Sequence, residues 1–257
     1  MKLQHEFSRT ELLIGSEGLD KLKKTKVAVF GIGGVGSYTV EALARGGIGS
    51  LILVDDDNVC LTNLNRQVHA LFSTISKSKV DVMENRIHDI NPECNVKTHK
   101  TFVKEDNIDE LIDPDTDYVV DAIDTVSSKI SLVVWCREHN IKIISCMGTG
   151  NKFDPTRFKI ADIYDTKICP LAKVMRYELR RRGIKSLKVL YSDETPVKPR
   201  EGVITCKEGC ICSGAGASQK CTMKRQIVGS ISYIPSAAGL IIGGEVINDI
   251  LGINRKK

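Results

Sequence analysis

The sequence predicts a single α/β domain: a Rossmann-like, mainly parallel sheet with helices on both faces, a C-terminal sheet extension and a cysteine-rich loop. Two observations predict this class. A short apolar run at residues 27–30 leads into the glycine-rich turn GIGGVG and then a helical stretch, and further apolar runs alternate with helical segments up to residue 146. With 257 residues, the chain can bury the core of one such domain.

The predicted elements follow in chain order. Strands are expected at 27–30, 51–54, 96–101, 118–121 and 141–146, and helices at 35–45, 78–90, 107–112 and 127–139. Gly46 and Gly47 end the first of these helices. Beyond Gly150 we expect a strand at 157–161, a basic helix at 171–182, a strand at 187–191, a loop at 192–220, then a strand and an apolar helix at 235–251. We expect the domain to divide near residue 150, with residues 1–150 forming the alternating α/β part and residues 151–257 completing the sheet.

Composition narrows the class of protein. Charged residues make up 27% and apolar residues 42% of the chain, as in ordinary globular proteins. Aromatic residues are only 5%, which indicates no stacking platform for single-stranded nucleic acid. The first fifteen residues lack an apolar export signal and residues 233–244 are too short to span a membrane, so we expect a cytoplasmic protein without a membrane partner. The nine cysteines are then reduced thiols rather than a disulfide framework.

Basic residues are clustered, although the net charge is only +5. They collect at 21–26, at 176–188 and at 220–225. Such clusters are usually solvated faces, but they also suit a polyanionic partner.

The glycine turn at residues 31–36 lies between a predicted strand and a predicted helix, where backbone N–H groups can receive a phosphate. Gly31 and Gly33 permit the tight turn and a close ligand approach. Asp55 ends the next strand, at the position of an acid that binds ribose hydroxyls. A turn without a ligand and an NAD-dependent dehydrogenase both remain open at this point.

The following segment favours ATP. DDDNVCLTNLNRQ places Asp57, Asn63, Arg66 and Gln67 just beyond Asp55, and Lys79 follows. A triphosphate prepared for attack needs several cations to hold its charge, and Arg66 and Lys79 supply them. A nicotinamide oxidoreductase or a non-catalytic nucleotide sensor would leave both without a function.

These motifs, together with DAID at residues 121–124, resemble the ubiquitin-activating-enzyme-like superfamily, which includes the sulfur-carrier adenylyltransferases of thiamine and molybdopterin synthesis. FSRTELLIG, EALARGGIG, NRQVHAL, INPEC and DAIDTVSSK are most similar to the tRNA threonylcarbamoyladenosine dehydratase family. The resemblance covers nearly the whole chain and is most distinct before residue 150. It implies an enzyme that uses ATP to activate the threonyl carboxylate of threonylcarbamoyladenosine in tRNA and to cyclise it.

The resemblance also assigns roles to residues. It implies that Gly31, Gly33, Gly34 and Gly36 line the phosphates, Asp55 binds the ribose, and Arg66 and Lys79 hold the triphosphate. Asp124 would hold Mg²⁺, and Arg9 would reach the ATP of the partner in a homodimer. Asp124 as a helix cap and Arg9 as a surface charge are the alternatives. Because the activated carboxyl is attacked from within the same molecule, no catalytic cysteine is required.

Four cysteines lie close together in the late loop: Cys206, Cys210, Cys212 and Cys221. Four thiolates can close a structural zinc site, but this spacing departs from the paired C-x-x-C knuckles of related sulfur-carrier adenylyltransferases, and unligated thiols are the other reading. Cys60, Cys94, Cys136 and Cys146 are predicted to be core residues. An adenylyltransferase for the C-terminal glycine of a ubiquitin-like sulfur carrier shares the ATP motifs and is the alternative function. The missing knuckles and the basic residues at 176–188 favour the RNA substrate.

Overall fold

The computed structural model describes residues 4–200 and 228–253. Their seven strands form one sheet in the order β3-β2-β1-β4-β5-β7-β6. The strands are β1 Lys26–Phe30, β2 Ser50–Val54, β3 Asn95–His99, β4 Tyr118–Asp121, β5 Lys142–Cys146, β6 Phe158–Asp162 and β7 Lys188–Ser192. The helices are α1 Ser8–Lys23, α2 Gly36–Gly46, α3 Lys79–Ile90, α4 Ile108–Leu111, α5 Val126–Glu138, α6 Pro170–Arg181 and α7 Tyr233–Leu251.

The sheet is parallel except at one edge, where β6 runs antiparallel to β7. The central strand β1 pairs with β2 on one side and with β4 on the other. The chain therefore reverses its direction of winding between β1 and β4. In open parallel sheets, ligands bind outside the carboxyl ends of the strands at such a switch point.

Successive side chains of β1 point to opposite faces of the sheet, and both faces are covered by helices. Val27 and Val29 belong to a core shared with α1, α2, α3 and α7. Ala28 and Phe30 face a second core shared with α4 and α5. A third core joins α5 and α6 next to β7. The predicted doubly covered α/β sheet is thus confirmed.

The contact between α2 and α7 is very close. A Cβ on Gly239 would overlap the carbonyl oxygen of Val35, and one on Gly243 would lie 2.6 Å from Ala42 Cβ. Thr39 Oγ1 donates to the carbonyl oxygen of Gly239 at 3.1 Å. Although α7 is long and apolar enough to cross a membrane by length and composition, it packs here as a core helix of the domain.

Most predicted elements are present with small shifts at their ends. The prediction extended β3 to residue 101, but the strand ends at His99. Helix α1 was not predicted; it is broken at Gly15, which has φ of 73°. Residues 228–231, ahead of α7, are not a strand. The rest of the strand predicted there and the four clustered cysteines lie outside the described residues.

Candidate nucleotide-binding site

The glycine turn follows β1 at the switch point, and its glycines serve different purposes. Gly31 has φ of +87°, and a Cβ there would lie 2.7 Å from the carbonyl oxygen of Ala122. A Cβ on Gly36 would overlap the carbonyl oxygen of Gly31, and one on Gly34 would lie 3.1 Å from Pro235 Cβ. At Gly33 the nearest atom to such a Cβ is Gln67 Nε2, at 4.0 Å. The backbone of the turn therefore requires Gly31 and Gly36, whereas Gly33 leaves open space beside the turn.

Asp55 fixes the turn to the end of β2. One carboxylate oxygen accepts from the backbone N–H of Ile32 at 2.6 Å, and the other accepts from the backbone N–H of Asp57 at 2.9 Å. The first of these bonds crosses from β2 to the turn after β1. Asp55 therefore has a structural role at the end of β2, and its role as the ribose acid stays a prediction.

Lys79 is the first residue of α3 and is only 5% exposed. Its Nζ lies 2.8 Å from Asp57 Oδ2 and 3.5 Å from Asp55 Oδ1. Burial opposes the charged form of this lysine, but the two carboxylates outweigh burial and raise the pKa of Lys79. The site therefore contains a buried, fixed positive charge beside the predicted ribose acid.

Arg66 and Gln67 lie on the segment that faces the glycine turn. Arg66 donates to the carbonyl oxygen of Thr62 at 2.8 Å, and no carboxylate in the described parts of the chain pairs with it. Burial lowers the pKa of Arg66, but a guanidinium keeps its charge in proteins. Gln67 is buried, and its Oε1 has no hydrogen-bond partner among the residues placed by the structure. An arginine without a carboxylate partner suits an anionic group of a ligand, and the unsatisfied Oε1 of Gln67 suits a hydrogen-bond donor of that ligand.

Asn63 makes hydrogen bonds within its own segment, and its assignment to the nucleotide stays a prediction. Its Oδ1 accepts from the backbone N–H of Cys60 at 3.0 Å. Its carbonyl oxygen accepts from the backbone N–H groups of Arg66 and Gln67, both at 3.0 Å. Asn63 therefore shapes the turn that carries these two side chains.

A buried ion pair lies under the loop after β4, and the sequence reasoning missed it. Lys129 of α5 and Asp121 are both fully buried, with Nζ 2.9 Å from Asp121 Oδ2. Lys129 also donates to the carbonyl oxygens of Ile123 at 3.1 Å and Cys146 at 2.8 Å. It thereby joins the carboxyl ends of β4 and β5. The only signal in the sequence was a lysine within an otherwise uncharged stretch, residues 125–136, after DAID.

Asp124 is exposed on the loop after β4, at the same edge of the sheet. The N-cap residue of α5 is Thr125, so Asp124 directly precedes the cap position of that helix. Within the described ranges, the one group of three or more potential metal ligands within 4.8 Å of one another is Asp55, Asp56 and Asp57, which does not include Asp124. The assignment of Mg²⁺ to Asp124 stays a prediction.

Cys94, Cys136 and Cys146 lie in the core. Burial raises the pKa of Cys94 to about 11, and that of Cys136 and Cys146 to about 12. These three are core residues, as predicted, whereas Cys60 is only half-buried. Their high pKa values keep these three thiols protonated at neutral pH.

A glycine turn, a buried lysine and an unpaired arginine at the carboxyl edge of a parallel sheet define the class of nucleotide-binding α/β proteins. Within that class, the chain belongs to the ThiF family, whose profile matches residues 7–257. The family resemblance noted from the motifs is thereby confirmed.

Three known proteins show how far the similarity extends. The tRNA threonylcarbamoyladenosine dehydratase of Bacillus subtilis is 50% identical over 248 residues, which cover 96% of this chain and 95% of the relative. The structure of the Escherichia coli tRNA N6-threonylcarbamoyladenosine dehydratase in complex with ATP matches with a TM-score of 0.81 and 31% identity, covering 96% of this chain and 94% of that chain. A molybdopterin-synthase adenylyltransferase of Haemophilus influenzae is 32% identical over 151 residues, covering 56% and 62% of the two chains.

Proposed function

We propose that this protein is an ATP-dependent tRNA threonylcarbamoyladenosine dehydratase of the cytoplasm. One observation carries the proposal: an edge site suited to a nucleotide lies in a chain that is similar, over 96% of its length, to a dehydratase of that name. The adenylyltransferase match covers only 56% of this chain, which disfavours the sulfur-carrier alternative.

The residues present at the edge of the sheet fit ATP. Gly33 leaves room at the turn, where N–H groups at the start of α2 favour a phosphate. Arg66 offers a guanidinium without an acid partner in the described part of the chain, and Lys79 offers a fixed ammonium close to Asp55. Gln67 offers an unsatisfied carbonyl oxygen to a donor such as an amino or hydroxyl group.

The reaction follows from the substrate. A threonyl carboxylate oxygen attacks the α-phosphorus of ATP, and pyrophosphate leaves with the electron pair of the broken P–O bond. Arg66 and Lys79 stabilise the charge that develops on the phosphoryl oxygens. A nucleophilic group of the same nucleoside then attacks the acyl carbon and loses a proton, and AMP leaves with the former carboxylate oxygen. The nucleoside has lost the elements of water. Ring closure within one held molecule needs mainly positioning from the protein.

Asp124 is the residue that we assign to Mg²⁺. Its carboxylate lies on the loop after β4. Lys129, which pairs with Asp121, donates to the carbonyl oxygen of Ile123 in this loop. Mg²⁺ is usually bound through one or two carboxylates together with the substrate phosphates, and a bound Mg²⁺ would neutralise phosphate charge. The zinc hypothesis for the four clustered cysteines stays a prediction.

We further propose a homodimer in which Arg9 serves the site of the second copy. Phe7, close to Arg9, lies 3.6 Å from the position of a Cβ on Gly47. Gly47 follows α2 at the end remote from the glycine turn, about 16 Å along the helix axis. On the same helix as Arg9, Leu12 and Leu13 are 86% and 88% exposed. Exposed apolar side chains of this size favour a protein interface.

The function is tested by incubating the protein with ATP, Mg²⁺ and tRNA that contains threonylcarbamoyladenosine. We expect the modified nucleoside to lose the mass of one water, and AMP and pyrophosphate to form in equal amounts. An unchanged nucleoside mass would refute the function. ATP–pyrophosphate exchange that depends on a ubiquitin-like carrier instead of tRNA would support the alternative.

The metal and dimer proposals are tested by mixing two inactive variants. Asp124→Ala and Arg9→Ala should each fold and each lose most activity. After subunit exchange, hybrid dimers contain one site with both residues intact, so we expect partial recovery. No recovery despite measured exchange contradicts action of Arg9 on the second copy. Near-normal activity of Asp124→Ala contradicts the metal assignment.

A further inference from the structure

Helix α6 has one buried and one exposed face. Ala172, Met175 and Leu179 are fully buried in the core between α5 and β7. The exposed positions recur every three or four residues and so form one stripe along the helix: Lys173, Val174, Tyr177, Arg180 and Arg181. The stripe contains three cations and an aromatic ring but no acidic residue.

Several cations of the basic cluster predicted from the sequence are engaged elsewhere. Arg176 donates to the carbonyl oxygen and the hydroxyl of Thr166. Arg182 pairs with Glu178 at 2.6 Å, and Lys188 pairs with Asp249 at 2.6 Å. The basic cluster therefore does not act as a whole. On the stripe, Arg181 makes a longer contact with the same Glu178, at 3.7 Å, and the Arg180 guanidinium lies 5.3 Å from the centroid of the Tyr164 ring. Both arginines nevertheless stay exposed, as do Lys173 on the stripe and Lys185 beyond the helix.

Tyr177 lies in the middle of this stripe. The guanidinium of Arg181 is 5.6 Å from the centroid of its ring, and the residue is still 61% exposed. An exposed ring between cations is the arrangement that binds single-stranded nucleic acid, since a base stacks on the ring while the cations neutralise the flanking phosphates. A merely solvated basic face gives no reason for an exposed tyrosine there.

The stripe begins at the edge of the sheet that carries the nucleotide site. Gly148 follows β5, and the position of a Cβ on it lies 3.6 Å from Cys169 Sγ and 3.9 Å from Leu171 Cβ. The first turn of α6 is therefore at the carboxyl end of β5, and β5 is the direct neighbour of β4. Lys173 is nearest to this edge, and Arg181 lies about 12 Å further along the helix.

We propose that this exposed stripe of α6 is the docking surface for the RNA substrate, with Tyr177 stacked on an unpaired base and Lys173, Arg180 and Arg181 on the neighbouring phosphates. The inference rests on the proposed function, because an RNA substrate is part of it. It also revises the expectation from composition that the chain has no stacking platform. One well-placed ring on a cationic helix is sufficient, since proteins recognise RNA mainly at unpaired bases.

Three variants and a matched control test this surface. Tyr177→Ala removes the ring, and Tyr177→Phe keeps it. The triple variant Lys173→Gln/Arg180→Gln/Arg181→Gln removes three charges from the stripe. The control Lys21→Gln/Lys23→Gln/Lys24→Gln removes three exposed charges at the end of α1, on the opposite face of the sheet. For each protein, tRNA affinity is measured at several salt concentrations, together with ATP affinity and the steady-state constants for tRNA.

We expect Tyr177→Ala to weaken tRNA binding by about 5- to 150-fold and Tyr177→Phe to bind like the wild type. The triple variant should reduce the log–log salt slope by about 2 to 3, since each of the three phosphate contacts contributes roughly 0.7–0.9. KM for tRNA should rise while ATP affinity and kcat at saturating tRNA stay unchanged.

The docking surface is refuted if Tyr177→Ala retains wild-type affinity, if Tyr177→Phe loses as much as Tyr177→Ala, or if the control triple variant matches the α6 triple variant. A wild-type protein that neither binds nor converts tRNA refutes the proposed function itself. Normal wild-type turnover with full affinity in the α6 variants refutes only the docking surface.

Discussion

Replacing Lys129 by Met should strongly destabilise the protein. The substitution keeps the length of the side chain and removes its charge, which leaves Asp121 fully buried without its ammonium partner, now 2.9 Å away. Removing one partner of a buried pair typically costs about 3–5 kcal/mol. The carbonyl oxygens of Ile123 and Cys146 also lose their donor. In a chain of this size, 1 kcal/mol corresponds to about 2–4 °C, so we expect the melting temperature to fall by about 6–20 °C.

The assay is urea and thermal unfolding of Lys129→Met, Asp121→Asn and the double variant. Because Asp121→Asn removes the charge that Lys129→Met would strand, the double variant should be less destabilised than the sum of the two single variants. Lys159→Met is the control, since it breaks an exposed ion pair with Asp193 and should leave the melting temperature close to that of the wild type. A cost below about 1 kcal/mol for Lys129→Met, or strict additivity, would refute the role assigned to this pair.

Three further predictions concern the site and its surroundings. Arg66→Ala should lower kcat about 100- to 1000-fold, as does the loss of a comparable electrostatic donor, and an unchanged rate in the tRNA assay would discard its phosphate role. Gly33→Ala should fold normally, because its Cβ enters open space, but it should bind ATP weakly in calorimetry, because that space is where we propose that a phosphate lies. Gly31→Ala should unfold more easily, because its φ is +87° and its Cβ meets Ala122. Equal ATP affinity of Gly33→Ala and wild type would place the phosphates elsewhere. Burial, with Lys79 and Arg86 nearby, lowers the pKa of His69 to about 4, so the unfolded chain takes up this proton near pH 6.5 and the folded chain does not. Stability is then complete above pH 6.5 and is lost as the pH falls towards 4, by about 2 kcal/mol at pH 5, and His69→Gln should remove that part of the pH dependence in urea titrations.

The order of strands and helices could be predicted because apolar runs and glycines mark it directly in the sequence. The ends of elements were predicted less accurately. Strand β3 stops at His99, although the residues that follow it still have strand-like composition. Helix α1 was missed because Gly15 breaks it and because Leu12 and Leu13 point to solvent. A helix whose apolar residues face outward does not show the usual pattern of a core helix.

The candidate site could be predicted in part. Asp55, Arg66 and Lys79 follow from motif spacing, and the fold brings their segments to one edge of the sheet. Lys129 could not be predicted, since lysines are almost never fully buried unless paired, and its partner Asp121 lies on a different element. The role proposed for Tyr177 could not be predicted from composition, because the aromatic content of the whole chain does not show where a single ring is exposed.

The two cations proposed to bind phosphate differ in what their removal would measure. Lys79 already balances Asp57 and the largely buried Asp55 before any ligand is present, so Lys79→Ala would leave these carboxylates uncompensated. Its effect on activity would combine a lost phosphate contact with a disturbed glycine turn, because Asp55 accepts from the N–H of Ile32. Arg66 neutralises no acid in the described structure, so its charge is available to a ligand without first breaking an ion pair. Loss of activity in Arg66→Ala with unchanged melting temperature is therefore the cleaner evidence for a bound triphosphate, and a Lys79 variant is informative only when its stability is measured alongside.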